Sequence, residues 1–349
     1  MTMDSGHYDL QTCTCSIRAS TPVHAILRHY LSAYETPDLH RCDIDLTINT
    51  EETAVTEARK TLTRLSPSQV RTSHPNQRYH IWTTDGQQIL TPERANDHVI
   101  TVQGNHISLV AHQHQIAATV GVRIVRQLIM RAGETRHGQS VHAGAAILDT
   151  DGVLIAGHAG AGKTSVLTRL IEDHGARPVA NDRTVLTPGD NVTWSAVGVP
   201  LAWRFTPQGI DGSTALTHAL TIRDLSRGRD LVDGKIELTP LEISQALAVP
   251  AAAAAPITRL IILTRTANKQ PPAPDHRFIR DHLDFGADDF FTDDWLGVRP
   301  LFPSLTAQPP LDADAWWARL ATTVPVQVIS WTDPTELGRV AATIAQGQP

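Results

Sequence analysis

The sequence predicts a mixed-sheet α/β fold over residues 115–349, preceded by a smaller α+β domain over residues 21–114 and a flexible polar N-terminus over residues 1–20. Three observations predict it. Gly157-His158-Ala159-Gly160-Ala161-Gly162-Lys163-Thr164 fits G-x-x-x-x-G-K-[ST], with the apolar run Gly152–Ala156 before it and a helical pattern, Ser165–Glu172, after it. Ser140–Leu148 reads as a second strand joined to the first by the turn Asp149–Gly152, so two antiparallel strands lead into the loop, unlike a simple βαβ start. Residues 21–112 carry short alternating runs typical of half-buried strands.

Composition narrows the class. The chain has 349 residues, 41% hydrophobic and 19% charged, as expected of an ordinary globular protein with more than one core. A net charge of −6 gives no reason to expect nucleic acid or an anionic membrane as partner. No apolar run approaches the roughly 18 residues that span a bilayer, and Met1–His7 has no secretory pattern. Three cysteines, Cys13, Cys15 and Cys42, are too few and too odd in number for a disulfide framework and fit a reducing cytoplasm. With His7 and His24 nearby they invite a zinc reading, but their spacing matches no standard zinc pattern.

In chain order, Val23–Tyr34 has helical spacing, with Val23, Ile26, Leu27, Tyr30 and Leu31 on one side. Asp43–Ile48 and Arg78–Thr83 alternate as strands, and Asp85-Gly86 reads as a hairpin turn. Val99–Val102 and Ile107–Val110 flank Gly104-Asn105 as two more strands, and His106, His112 and His114 beside them read as solvated or satisfied histidines. This domain suits substrate recruitment or self-association, and the sequence does not choose between them. Gln115–Arg131 carries an apolar stripe through Ile116, Val120, Ile124 and Leu128. It is expected to pack on the following core and to mark the domain boundary. Gly175 reads as the stop of the helix after the loop, and Arg177–Ala180 as a strand ending at Asn181-Asp182-Arg183. Val192–Ala196 and Leu201–Phe205 read as strands, Asp233–Leu238 as a turn entering a strand, and Ala251–Ala255 as linker or helix end. Arg259–Thr264 is a buried central strand by its continuous apolar run. Gln270–Pro274 is an irregular loop, and Asp288–Trp295 an acidic–aromatic patch read chiefly as a solvated loop with aromatic anchors. A helix from Asp312 to Thr322, a strand Pro325–Ser330 and a closing helix Asp333–Ala345 complete the chain.

The chemistry lies in the glycine loop. Its glycines let successive N–H groups point at phosphate oxygens, and the helix N-terminus adds partial positive charge. Gly157, His158, Ala159, Gly160, Ala161, Gly162, Lys163, Thr164 and Ser165 form the expected phosphate-binding set. Lys163 can reach β- and γ-phosphates, and the Thr164 hydroxyl can hold Mg²⁺. Asp182 ends the strand that follows the loop helix, where an acid can hold Mg²⁺ or take a proton from an attacking hydroxyl. Arg204 and Arg223 are weaker candidates for phosphate contacts, and Lys235 is a candidate second cation near the γ-phosphate.

Ser140–Gly144, Gly152–Ser165 and Gly175–Arg183 together resemble the catalytic core of HPr kinase/phosphorylase and its kinase-like relatives, which share their nucleotide fold with phosphoenolpyruvate carboxykinases. The match covers about 50 residues, 140–187, in the same order and spacing. The resemblance implies an ATP·Mg²⁺-dependent kinase, with His142 close to the transferred phosphoryl group and Asp182 at the family's acid position. Two departures stand out. Asn181-Asp182 replaces the adjacent acids of the bifunctional enzymes, and the family's later segment for its HPr substrate has no clear copy here. The resemblance therefore implies phosphoryl transfer to a hydroxyl of another peptide or small-protein acceptor, as in relatives that modify precursor peptides. A small-molecule kinase and a regulatory ATPase without transfer remain as alternatives, and self-association of the chain is left open.

Overall fold

The structure is a computed structural model and describes residues 3–37, 39, 41–62, 64–74, 77–84, 86–190, 192–222, 234–266, 274–285, 293–302 and 312–347. The chain is α/β and divides into two compact units, residues 1–135 with 286–305, and residues 136–285 with 306–349. No helix among the described residues is long and apolar enough to cross a membrane.

The first unit begins where a flexible tail was expected. Strands β1 (Met3–Asp9) and β2 (Thr14–Ser20) form an antiparallel hairpin, in which Tyr8, Cys15, Ile17 and Ala19 are buried. The sequence of β1 is polar, and its order comes from pairing with β2. Helix α1 (Thr21–Leu31) buries Val23, Leu27 and Leu31 of the stripe that its spacing predicts, and leaves Ile26 and Tyr30 half-buried. After β3 (Glu35–Thr36) come β4 (Ile44–Thr50), α2 (Glu52–Leu62), β5 (Gln69–His74), β6 (Gln77–Thr84), β7 (Gln87–Pro92), β8 (His98–Gln103) and β9 (His106–Ala111). They build one nine-stranded sheet of order β3-β1-β2-β4-β9-β8-β7-β6-β5. The pairs β2–β4 and β4–β9 are parallel and the rest antiparallel. Of the expected β6–β7 turn, Gly86 has a positive φ of 76°, while Asp85 lies outside the described residues.

Helix α3 (His114–Glu134) corrects the expected boundary. It belongs to the first unit and packs on α1, β4 and β9. A side chain at Gly121 would sit 2.8 Å from Ile48 Cδ1 and 3.3 Å from Leu27 Cδ2, so the apolar stripe is committed to this sheet. Of the acidic–aromatic patch, 288–292 lie outside the described residues. Asp294 accepts from the amides of Gly297, Val298 and Arg299 at 2.9–3.0 Å, and Trp295 is buried and stacked on Tyr79, so both are engaged within the unit.

The second unit opens with β10 (Gln139–Val141) and β11 (Ala143–Leu148), where one continuous strand was expected. The break falls at His142, whose amide donates to Leu283 O at 2.7 Å, outside the sheet. Strand β12 (Asp151–Ala156), α4 (Lys163–His174) and β13 (Arg177–Ala180) follow, with Gly175 at φ 67° capping α4. Next come β14 (Thr184–Pro188), β15 (Trp194–Gly198), β16 (Trp203–Phe205), α5 (Pro207–Asp211), α6 (Thr214–Ile222), β17 (Ile236–Leu238) and α7 (Pro240–Ala246). Strand β18 (Ala254–Arg265) absorbs the end of the alanine run expected as linker, and α8 (His276–Leu283), α9 (Ala313–Thr323), β19 (Val326–Trp331) and α10 (Leu337–Ala345) complete the unit. The main sheet runs β10-β14-β15-β18-β12-β11-β13, with β19 on β18. Among the described strands of this sheet, only β12–β18 and β18–β19 are parallel. Asp233 and residues 270–273 lie outside the described residues.

Both faces of this sheet are covered, which explains the continuous apolar runs of its central strands. Val153 and Ile155 of β12 and Ile261 and Leu263 of β18 face a core completed by Leu167, Leu170 and Ile171 of α4 and Val340 and Ile344 of α10. The alternate residues Leu154, Ala156, Leu260 and Ile262 face Ile279 and Leu283 of α8 and Trp316, Trp317 and Leu320 of α9.

Trp316 is 1% exposed, and its Nε1–H donates to His137 O at 2.8 Å. Trp316→Ala is expected to cost about 3–5 kcal/mol, read as a fall in the midpoint of urea unfolding. A loss under about 1 kcal/mol would show that this layer closes over the gap. A second expectation concerns Glu336, in the 3₁₀ turn before α10. The amides of Thr332 and Asp333, with Arg339 at 2.6 Å, lower its carboxyl from 4.5 to about 2. A depressed folded-state value stabilises the fold fully above about pH 4.5, and the benefit is lost as pH falls toward about 2. The melting temperature of the wild type should therefore exceed that of Glu336→Gln clearly at pH 6 and by much less at pH 3. An equal gap at both pH values would dissociate the stabilisation from the carboxylate.

Candidate functional site

The glycine loop joins β12 to α4 as its spacing predicts, and its shape is dictated by its neighbours. Gly157, Gly160 and Gly162 have φ of 144°, 81° and 91°. At Gly157 a Cβ would lie 2.6 Å from Leu263 O on β18, and at Gly162 it would lie 2.7 Å from Trp331 Cζ2 on β19. Trp331 also donates its indole N–H to Ala161 O at 2.9 Å. The loop is thus wedged between the ends of two strands. His158, Ala159 and Gly160 form its exposed arc, and Thr164 and Ser165 are half-buried in the first turn of α4. A cavity of about 380 Å³ lies against this arc and the end of β18, residues Leu263–Thr266.

Lys163 is 8% exposed. Its ammonium folds back on the loop, donating to Gly157 O at 2.6 Å and to His158 O at 3.5 Å. Burial lowers its pKa, the Asp182 carboxylate opposes that, and the charge of Lys235 adds to it. Lys163, Asp182 and Lys235 therefore share one electrostatic neighbourhood.

His142 and Asp182 come together across the strand break, with Nε2 2.9 Å from Oδ1. Burial pushes the Asp182 carboxyl up, but the hydrogen bond from His142 and the positive charges of His142, Arg183 and Lys163 outweigh it and hold the carboxyl below its ordinary value. Asn181 is 6% exposed, and its Oδ1 has no hydrogen-bond partner among the described residues. A buried acceptor left unsatisfied suits a group that brings a donor, such as a hydroxyl or a water.

Other predicted residues are placed differently. Arg204 pairs with Glu237 at 3.2 Å across the β16–β17 ribbon. Arg223 lies outside the described residues. Four residues that sequence reasoning passed over also shape the site. Phe285 stacks on His142, with centroids 5.4 Å apart, and the guanidinium of Arg183 lies 4.2 Å from the Phe285 ring centre. Trp331 braces the loop. Asp281 and His282 on α8 reach its arc, with His158 Nε2 3.3 Å from Asp281 Oδ2 and the His158 and His282 rings 4.2 Å apart. Burial, together with the charge of His158, lowers the His282 pKa. The Phe278-Ile279 and His282-Leu283 spacing was the available signal for this helix.

No protein-family model matches the sequence, and no curated protein matches it. Among solved structures, the chain has a distant likeness to the Hpr(Ser) kinase/phosphatase from Coxiella burnetii, with 18% sequence identity and a TM-score of 0.31, covering 60% of this chain and 89% of that one.

Gly162→Ala should strain a left-handed backbone by about 1–2 kcal/mol and press on Trp331. The expected outcome is a roughly tenfold or greater loss of inorganic pyrophosphate affinity by calorimetry. Unchanged affinity would show that the loop conformation is not what phosphate recognition requires.

Proposed function

We propose that the chain is an ATP-dependent kinase that transfers the γ-phosphoryl group to a hydroxyl of a peptide or small-protein acceptor in the cytoplasm. The observation that carries the reading is the convergence of three groups on one neighbourhood: the phosphate-loop Lys163, the ion-paired Asp182 and the strand-break His142. A glycine loop at a helix N-terminus recognises phosphate through backbone N–H groups and the helix dipole. Lys163 binds phosphate by exchanging the carbonyls of Gly157 and His158 for phosphate oxygens, a swap that keeps its charge buried and paired.

Asp182 and Thr164 are the groups that would hold Mg²⁺. When bound, the ion supplies neutralising charge to the phosphates. A carboxylate held below its ordinary value is a poorer general base, which leaves the ligand role for Asp182. His142, hydrogen-bonded to that carboxylate, assists by relaying a proton or by stabilising phosphoryl charge. Asp182 fixes that ring by its hydrogen bond, and Phe285 supports it by stacking.

The test is transfer of labelled γ-phosphate from ATP to candidate acceptors in a lysate, with wild type, Lys163→Ala and Asp182→Asn. Wild type should label a peptide or small protein. Lys163→Ala should lose about 10²–10³-fold in transfer rate, and Asp182→Asn should lose transfer while still binding nucleotide. Label appearing only on a metabolite would replace the acceptor with a small molecule. ATP binding or slow hydrolysis without transfer in any extract would replace the kinase with a regulatory ATPase.

A further inference from the structure

Two histidines and an aspartate meet at the outer side of the glycine loop, apart from the Lys163–Asp182–His142 group. One ring nitrogen each from His158 and His282 and one carboxylate oxygen of Asp281 lie within 4.8 Å of one another. His158 sits on the exposed arc of the loop, whereas Asp281 and His282 end α8. These residues are far apart in sequence, and only the fold brings them together.

The geometry is that of a ligand set. A tetrahedral ion with bonds of about 2.0–2.1 Å holds neighbouring ligand atoms about 3.3–3.4 Å apart. His158 Nε2 and Asp281 Oδ2 are already 3.3 Å apart. His282 Nδ1 lies 2.8 Å from Phe278 O. A carbonyl only accepts, so Nδ1 carries the proton and Nε2 keeps its lone pair. An ion on Nε2 would then meet a ring whose tautomer and orientation the Phe278 carbonyl fixes, as in metal-binding histidines, with Nδ1 4.0 Å from Asp281 Oδ2. His282 is buried at 6% side-chain exposure, which holds one ligand rigid, while His158 and Asp281 are 61% and 70% exposed and open to an entering ion.

The donor chemistry selects the ion. Two imidazoles and one carboxylate suit zinc, cobalt, nickel or ferrous iron. They are too nitrogen-rich for calcium or magnesium, which take oxygen, and lack the sulfur that cuprous copper prefers. Three protein ligands leave at least one coordination position for water or an incoming group. We infer that His158, Asp281 and His282 form a binding site for a single divalent transition-metal ion of the zinc class, which ties α8 to the glycine loop. Because His158 O is also one of the two carbonyls that receive Lys163, an ion fixed on His158 restrains the segment that holds this lysine. The inference does not rest on the kinase reading, since metal binding here needs neither nucleotide nor acceptor.

The test is titration of the untagged full chain with Co²⁺, followed by visible absorption and then by competition with Zn²⁺. The expected result is one Co²⁺ per chain, with ligand-field bands and no thiolate charge-transfer band, displaced by Zn²⁺. His158→Ala and Asp281→Asn change exposed side chains and should keep the wild-type circular dichroism. Each should weaken Co²⁺ binding by about tenfold or more, and the double variant should abolish the spectrum. The inference is overturned if wild type binds no Co²⁺ at micromolar concentration, if the double variant binds as wild type does, or if the only bound cobalt shows thiolate charge transfer. The last outcome would move the ion to the Cys42–His7 pair, where the sulfur lies 3.8 Å from Nδ1.

Discussion

The ends of two parallel neighbours, β18 and β19, set the shape of the glycine loop, and most of the site depends on that confinement. Leu263 O leaves no room for a side chain at position 157, and the Trp331 ring leaves none at position 162. The loop glycines are therefore required by the sheet as well as by any phosphate that the loop would bind. This wedging is possible because β12, β18 and β19 run parallel, so all three present their carboxyl ends at one edge. Ligand sites of open α/β sheets gather at such edges.

The break between β10 and β11 is the second structural decision. A continuous strand would direct the backbone amide of residue 142 into the sheet. Here it bonds to Leu283 O at the end of α8, and the imidazole is left to meet Asp182. Helix α8 thus closes the gap in backbone pairing, buries Ile279 and Leu283 against the sheet, and carries Asp281 and His282 to the glycine loop. A single eight-residue helix links packing, the His142–Asp182 pair and the loop arc.

The sequence was most legible where one physical signal dominates. The glycine motif located β12 and α4, the stripe of Ile124 and Leu128 located α3, and the run Leu260–Leu263 located the centre of β18. What escaped was decided by tertiary contacts. The polar strand β1 is ordered by β2, the alanines at 254 and 255 join β18 because β15 pairs with them, and α3 docks on its own sheet through Gly121. The residues that line the site were partly legible for the same reason. Lys163 and Asp182 follow from order along the chain. Trp331, Phe285 and His282 act through partners 170, 143 and 124 positions away along the chain, which no local pattern reports.

The indole brace also sets a schedule. Trp331 is made 170 residues after Ala161, the residue it holds. At ordinary translation speeds of about 5–20 residues per second, the motif leaves the ribosome on the order of 10–30 s before its support exists. Through that interval the nascent chain has the glycines and the lysine but lacks the wall at Gly162 and the donor at Ala161. The glycine loop is thereby left without its brace until the last residue of β19 has been synthesised.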